Sequence, residues 1–247
     1  MIKIRTLNIA HRGASSLAPE NTFAAFDKAI EIGADGVELD VHLSKDNVPV
    51  IIHDESLNRT TNGRGQVKNY TFNELKNFCA GTWFAPQFKD MQIPALDELF
   101  DRYKESNLLF NVELKNIFNA YPGLEASVLK IIKRHKCEDR VIISSFNHDS
   151  LVICRQINPA VRTGMLYLEE IEEPWLRARS LGCYSAHPFF LCLESSETLA
   201  GYKKNKMPLI PWTVNDLEQM EFFVTEGVEA IITVFPQELK RILDRPL

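Results

Sequence analysis

The chain has 247 residues, 45% hydrophobic and 25% charged, the make-up of a globular protein with enough apolar material for a large core. Its formal net charge is −5, with no long run of Lys or Arg, which argues against the basic footprint of a nucleic-acid or anionic-membrane binder. An anionic ligand would have to be met by a few placed cations or by a metal.

A short apolar run, 7–10, leads into His11-Arg12-Gly13. Residues 19–32 follow with helical periodicity through Phe23, Phe26, Ala29 and Ile30, Pro19-Glu20 reading as the helix start and Gly33 as its stop. A second strand, 36–43, alternates Glu38, Asp40 and His42 on one face with Val37, Leu39, Val41 and Leu43 on the other. Ser44-Lys45-Asp46-Asn47 is turn chemistry, and 48–52 returns as an extended run ending in His53-Asp54. The connection is too short for a helical crossover and predicts a hairpin. Residues 55–92 change texture: a polar, glycine-rich piece (58–65), a short helix near 72–78 and an aromatic loop with Trp83, Phe84, Pro86 and Phe88. This reads as a small capping insertion after the second strand, too small for an independent core.

Beyond it the alternation is regular. Helices at 94–103, 123–134, 149–157, 174–180, 197–204 and 216–225 precede strands at 108–114, 140–144, 162–167, 183–186, 209–212 and 230–233, and a helix at 236–243 closes the chain. Eight strands, each followed by a helix, predict a closed parallel (β/α)8 TIM barrel, with residues 1–247 as one domain. A doubly wound open sheet would accept the same alternation, but no glycine-rich nucleotide fingerprint follows the first strand. Cys79, Cys137, Cys154, Cys183 and Cys192 show no paired framework and are expected to be small buried residues. Residues 1–10 are too lightly apolar for a leader, and later apolar runs are broken before 18 residues, so a cytoplasmic protein without membrane insertion is expected.

In such a barrel, chemistry sits at strand C-termini. Glu38, Asp40 and Glu113 could form an all-oxygen cage for a hard divalent cation, although E-x-D alone is often just a polar strand edge. His11 and His53 are the candidates for proton transfer, histidine titrating nearest neutrality. Arg12 and Lys115 suit a phosphate, or balance the carboxylates, or do both. Trp212, ending the seventh strand, caps the core or walls a ligand. His42 is read as a hairpin surface residue, and His187, ending the sixth strand, could touch substrate.

Taken together, His11-Arg12-Gly13, Pro19-Glu20-Asn21-Thr22, Glu38-Leu39-Asp40-Val41, Lys45-Asp46, His53-Asp54, Glu113-Leu114-Lys115 and Trp212-Thr213-Val214-Asn215 resemble the glycerophosphodiester phosphodiesterase family from end to end. The resemblance implies hydrolysis of a small-molecule glycerophosphodiester to an alcohol and glycerol 3-phosphate. It implies Mg2+ or Ca2+ on Glu38, Asp40 and Glu113, His11 and His53 as acid and base, and Arg12 and Lys115 on the phosphate. One departure is visible: Thr233-Val234-Phe235-Pro236 has Val where the family often has Asp. Two other readings are a phospholipase-like enzyme on intact lipids, with Trp83, Phe84 and Phe88 as its apolar rim, and a non-catalytic barrel that binds phosphorylated ligands.

Overall fold

A strand can bury residues on both faces only if both sides of its sheet are covered, and the strands here are buried almost end to end. The computed structural model describes residues 5–117, 121–193 and 195–245. Residues 1–4, part of the stretch weighed above as a leader, lie outside the described residues. The strands are β1 (Leu7–His11), β2 (Gly36–Leu43), β3 (Pro49–Ile51), β4 (Leu109–Leu114), β5 (Val141–Ser145), β6 (Arg162–Tyr167), β7 (Ser185–Pro188) and β8 (Ala230–Thr233). The helices are α1 (Phe23–Ile32), α2 (Phe72–Leu75), α3 (Leu96–Arg102), α4 (Leu124–His135), α5 (His148–Ile157), α6 (Pro174–Ser180), α7 (Ser196–Asn205), α8 (Leu217–Glu226) and α9 (Pro236–Leu243).

Seven strands run parallel in the order β7-β6-β5-β4-β2-β1-β8, and β3 folds back antiparallel onto β2 as the expected hairpin. The ring closes through residues 209–212. Leu209 and Trp212 bridge to Ala186 and Phe189 on one side, and the carbonyls of Leu209 and Pro211 accept from Glu229 and Ile232 on the other. The sequence predicts a full strand here, but Pro208 and Pro211 have no N–H to give, so the segment makes isolated bridges instead of a ladder. This is the (β/α)8 barrel, with its insertion between β3 and α3.

Apolar residues between sheet and helices form two large clusters, around Phe26, Leu39 and Phe110 and around Met165, Tyr202 and Phe223. A smaller one, Ile9, Ile210, Ala230 and Ile232, fills the barrel interior below the site. In the insertion, Leu57, Val67, Leu75 and Ile93 pack on Val50 and Ile52, so its apolar cluster continues from the hairpin. Trp83, 40% exposed, and Phe88 both stack edge-on against Phe84. Among the described residues, no helix is long and apolar enough to cross a membrane.

Three local expectations change. Helix α1 begins at Phe23, not Pro19, because Asn21 is left-handed (φ 57°) and Thr22 Oγ1 accepts from Ala25 N. The sixth barrel strand lies two residues later than expected, since Cys183 N–H still caps α6 through the Ala178 carbonyl. Of the five cysteines, Cys137, Cys154 and Cys183 are buried, but Cys79 and Cys192 are partly exposed, in the insertion and in the loop after β7.

Candidate active site

Parallel register decides which side chains share the barrel interior. Glu38 pairs with His11 on one side and Asn111 on the other, and Asp40 pairs with Glu113, so the alternation that turns Glu38 and Asp40 inward brings Glu113 beside them. One carboxylate oxygen from each lies within 4.8 Å of the others, with Glu38 3% and Asp40 1% exposed.

Two cations flank this cluster. Arg12 and Gly13 are both left-handed (φ 56° and 80°), which turns the chain sharply off β1 and aims the Arg12 N–H at Glu38 Oε2, 2.9 Å away. A Cβ on Gly13 would lie 2.7 Å from the Ala25 backbone, so the turn needs glycine there. The Arg12 guanidinium reaches Glu20 Oε1 at 2.8 Å and Asp40 Oδ2 at 3.4 Å. Lys115 Nζ donates to Glu113 Oε1 at 2.7 Å and stands 3.5 Å from Asp40 Oδ1, which has no hydrogen-bond partner despite being buried. Asn21 Nδ2 holds the other Asp40 oxygen at 2.8 Å.

The electrostatics follow from burial. Burial, then the neighbouring Asp40 and Glu113, push Glu38 well above the usual carboxylate range. Burial raises Glu113 as well, against the pull of Lys115. It also works to raise Asp40, but Lys115 and Arg12 outweigh it and hold that carboxyl far below its usual range. Three carboxylates thus crowd together beside two cations, and Asp40 keeps a buried oxygen with no hydrogen bond. That donor set fits a hard divalent cation.

The histidines border the same cluster. His11 Nε2 lies 3.8 Å from Glu38 Oε2, and burial, with Arg12 beside it, pushes the ring down to about 3. His53, after β3, sets Nδ1 2.7 Å from Asp54 Oδ1; burial lowers its pKa against the pull of Asp40. A cleft of about 500 Å3 opens here, with His53, Glu113 and Lys115 at its floor and Ile117, Phe146 and Leu168 on its apolar wall. Trp212 stands behind that wall, stacked on Phe146 at 5.5 Å, its Nε1 donating to the His187 carbonyl at 2.9 Å.

Two expectations are corrected. His42 is no surface residue: it is 1% exposed, with Nδ1 3.0 Å from the Tyr121 hydroxyl and Nε2 3.0 Å from the His53 carbonyl. The hairpin folds over it, and His42 thereby supports the backbone that carries His53. His187 does not reach the cleft. It is fully buried inside the barrel, bonded to Ser185 at 2.8 Å and seated where a Cβ on Gly164 would lie 2.3 Å from its Nε2. At Val234, polar support comes from Asn215, whose Oδ1 accepts from the Thr233 hydroxyl and the Val234 N–H.

With this geometry in place, comparison with known proteins is decisive. The sequence model of the glycerophosphoryl diester phosphodiesterase family matches residues 11–238. The chain belongs to that family. It is 46% identical over 236 residues to a glycerophosphodiester phosphodiesterase of Caldanaerobacter subterraneus, covering 96% of this chain and 97% of the relative. A Bacillus subtilis glycerophosphodiester phosphodiesterase is 32% identical, covering 96% of this chain and 86% of its own length. Among solved structures, an Oleispira antarctica phosphodiesterase in complex with the product sn-glycerol-3-phosphate superposes with a TM-score of 0.89 at 31% identity, covering 98% of each chain.

Sequence reasoning assigned no role to several family-motif residues that the fold brings to the site: Glu20 on Arg12, Asn21 on Asp40 and Asp54 on His53. Their polar character beside the named residues was the available signal.

Proposed function

We propose that this phosphodiesterase-family protein hydrolyses glycerophosphodiesters to an alcohol and glycerol 3-phosphate, using Mg2+ or Ca2+ held by Glu38, Asp40 and Glu113. The observation that carries the reading is the cluster of three carboxylates between Arg12 and Lys115, bordered by His11 and His53, with His53, Glu113 and Lys115 lining a cleft. The product complex of the Oleispira relative supports the choice of substrate class.

When bound, the divalent cation supplies Lewis-acid neutralisation of charge on the phosphodiester. The remaining work falls to side chains. Arg12 offers a planar fork and Lys115 a point charge, and both turn toward phosphate oxygens without leaving the carboxylates they balance. Of His11 and His53, one takes the proton of the attacking oxygen, that of water or of a neighbouring glycerol hydroxyl whose cyclic phosphate water then opens, as that oxygen bonds to phosphorus. The other gives a proton to the alcohol oxygen as its bond to phosphorus breaks. His53 is turned by Asp54 so that Nε2 is its exchanging nitrogen. Trp212 acts through Phe146 as part of the apolar wall. In this reading residues 1–247 work as one domain, residues 55–92 cap the site, and the protein serves lipid and glycerol metabolism in the cytoplasm.

The test is release of glycerol 3-phosphate from a panel of glycerophosphodiesters, with divalent metal or chelator, by the parent and by His11→Ala and His53→Ala. Release that survives chelation, or that is unchanged in both variants, rejects the proposed site.

A further inference from the structure

Arg59 belongs to the insertion, outside the barrel and apart from the carboxylate cluster, yet it makes four hydrogen bonds to two carboxylates. Its Nε and Nη2 donate to Asp54 Oδ2 and Oδ1, each at 2.8 Å, and its Nη1 and Nη2 donate to Glu20 Oε2 and Oε1 at 2.8 and 2.9 Å. The oxygens it holds are not otherwise idle. Asp54 Oδ1 also meets His53 Nδ1 at 2.7 Å, and Glu20 Oε1 also accepts from Arg12 Nη1 at 2.8 Å. One guanidinium therefore joins a histidine after β3 to an arginine after β1, the two sides of the candidate site.

The loop that carries Arg59 is built to stay put. Leu57 and Thr60 are buried, the Leu57 carbonyl accepts from the Thr61 hydroxyl and N–H, Leu57 N–H reaches the Gly65 carbonyl, and Asn58 Oδ1 accepts from Gly65 N–H. The guanidinium fork matches two carboxylates at once, which a lysine ammonium, a single point of charge, does not. Arg59 binds Asp54 as the carboxylate: its hydrogen bonds are the largest influence holding that carboxyl below its usual range. An ionised carboxylate only accepts, so His53 must carry its proton on Nδ1 and present a bare Nε2 to the site.

We propose that Arg59 is a positioning residue that, by bonding Asp54 and Glu20 together, fixes the orientation of His53 and Arg12 from outside the barrel. The kinetic arm of this inference rests on the hydrolase reading above; its spectroscopic arm does not.

The experiment compares the parent with Arg59→Ala, Arg59→Lys, Asp54→Asn, Glu20→Gln and, as a control, Arg64→Ala in the same loop. Arg59→Ala is expected to lower kcat/KM on the order of 10–100-fold, as loss of an orienting partner does, with Arg59→Lys recovering little of it and Arg64→Ala unchanged. Asp54→Asn lowers mainly kcat, Glu20→Gln raises mainly KM, and neither adds its full effect on top of Arg59→Ala. In 15N-histidine-labelled protein at pH 8, the His53 nitrogens read as Nδ1–H in the parent and move toward a mixture of tautomers in Arg59→Ala. A kcat/KM within about threefold of the parent, full additivity with both partner variants, or an unmoved His53 spectrum overturns the proposal. An inactive parent rejects the hydrolase reading instead, and the spectra still decide the role of Arg59.

Discussion

The turn after β1 is a place where backbone geometry alone predicts a large effect, and replacing Gly13 with alanine tests it. Two costs add. At φ 80° an alanine is left-handed, which costs roughly 1–2 kcal/mol. Its Cβ would also sit 2.7 Å from the Ala25 carbonyl carbon and 2.8 Å from the Ala25 oxygen, backbone atoms at the start of α1 that no side-chain rotation can clear, and such overpacking costs about 1–3 kcal/mol. The sum, about 2–5 kcal/mol, lowers Tm by roughly 4–20 °C in a chain of this size. Gly227→Ala is the internal comparison: φ is 70° but nothing lies within 4 Å of the added Cβ, so only the first cost applies, about 2–8 °C. Urea titration and thermal melts of the two variants separate the costs. Because the residue before Gly13 hands its N–H to Glu38, Gly13→Ala is also expected to lose activity while Gly227→Ala keeps it. If Gly13→Ala is no less stable than Gly227→Ala, the close approach to α1 is not what fixes the turn.

Further consequences follow from burial and charge. His187 is held neutral, its pKa pushed to about 3 by burial, below its ordinary value of 6.5, so the unfolded state takes up the proton first as pH falls. Its share of stability is full above pH 6.5 and is lost toward pH 3; unfolding free energy of His187→Asn should fall less steeply between pH 6.5 and 5, by up to roughly 1.4 kcal/mol per unit, and parallel slopes refute this. A divalent cation at about 100 times its Kd should stabilise the parent by roughly 2.7 kcal/mol in thermal shift; Glu113→Gln should lose most of that gain, and an equal gain in both would remove Glu113 from the ligand set. His42→Phe takes the ring nitrogen away from the His53 carbonyl and leaves that buried acceptor unmet, at a cost of about 1–3 kcal/mol measurable by urea unfolding; an unchanged midpoint would mean the bond supports nothing.

What could be read from the sequence was what repeats at short range. Alternation put Glu38 and Asp40 on one face of β2, and the alternation of helices and strands brought Glu113 alongside. His42 obeyed that alternation too and was misplaced, because its burial depends on the hairpin and Tyr121 closing over it, 79 positions along the chain from one partner. Pro19 looked like a helix start because proline often is one; the left-handed Asn21 and the Thr22 cap belong to a turn no periodicity reports. The four-bond clamp of Arg59 joins carboxylates 5 and 39 residues away, and its existence depends on side-chain placement that only the folded loop sets.

The stave at 209–212 divides the barrel's cohesion unevenly. Where Pro208 and Pro211 withhold their protons, the stave meets β7 only in the two isolated bridges at Leu209 and Trp212, whereas β2 and β4 share six consecutive register pairs from Gly36–Leu109 to Val41–Leu114. Going round the ring from 209–212, β4 is the fourth stave in either direction, so Glu113 rides directly opposite the sparsest seam, with Glu38 and Asp40 next door. Amide protons of Ile210 and Trp212 should therefore exchange with solvent ahead of those in β2 and β4. Breathing of the cylinder is therefore expected first at this seam, on the side away from the carboxylates.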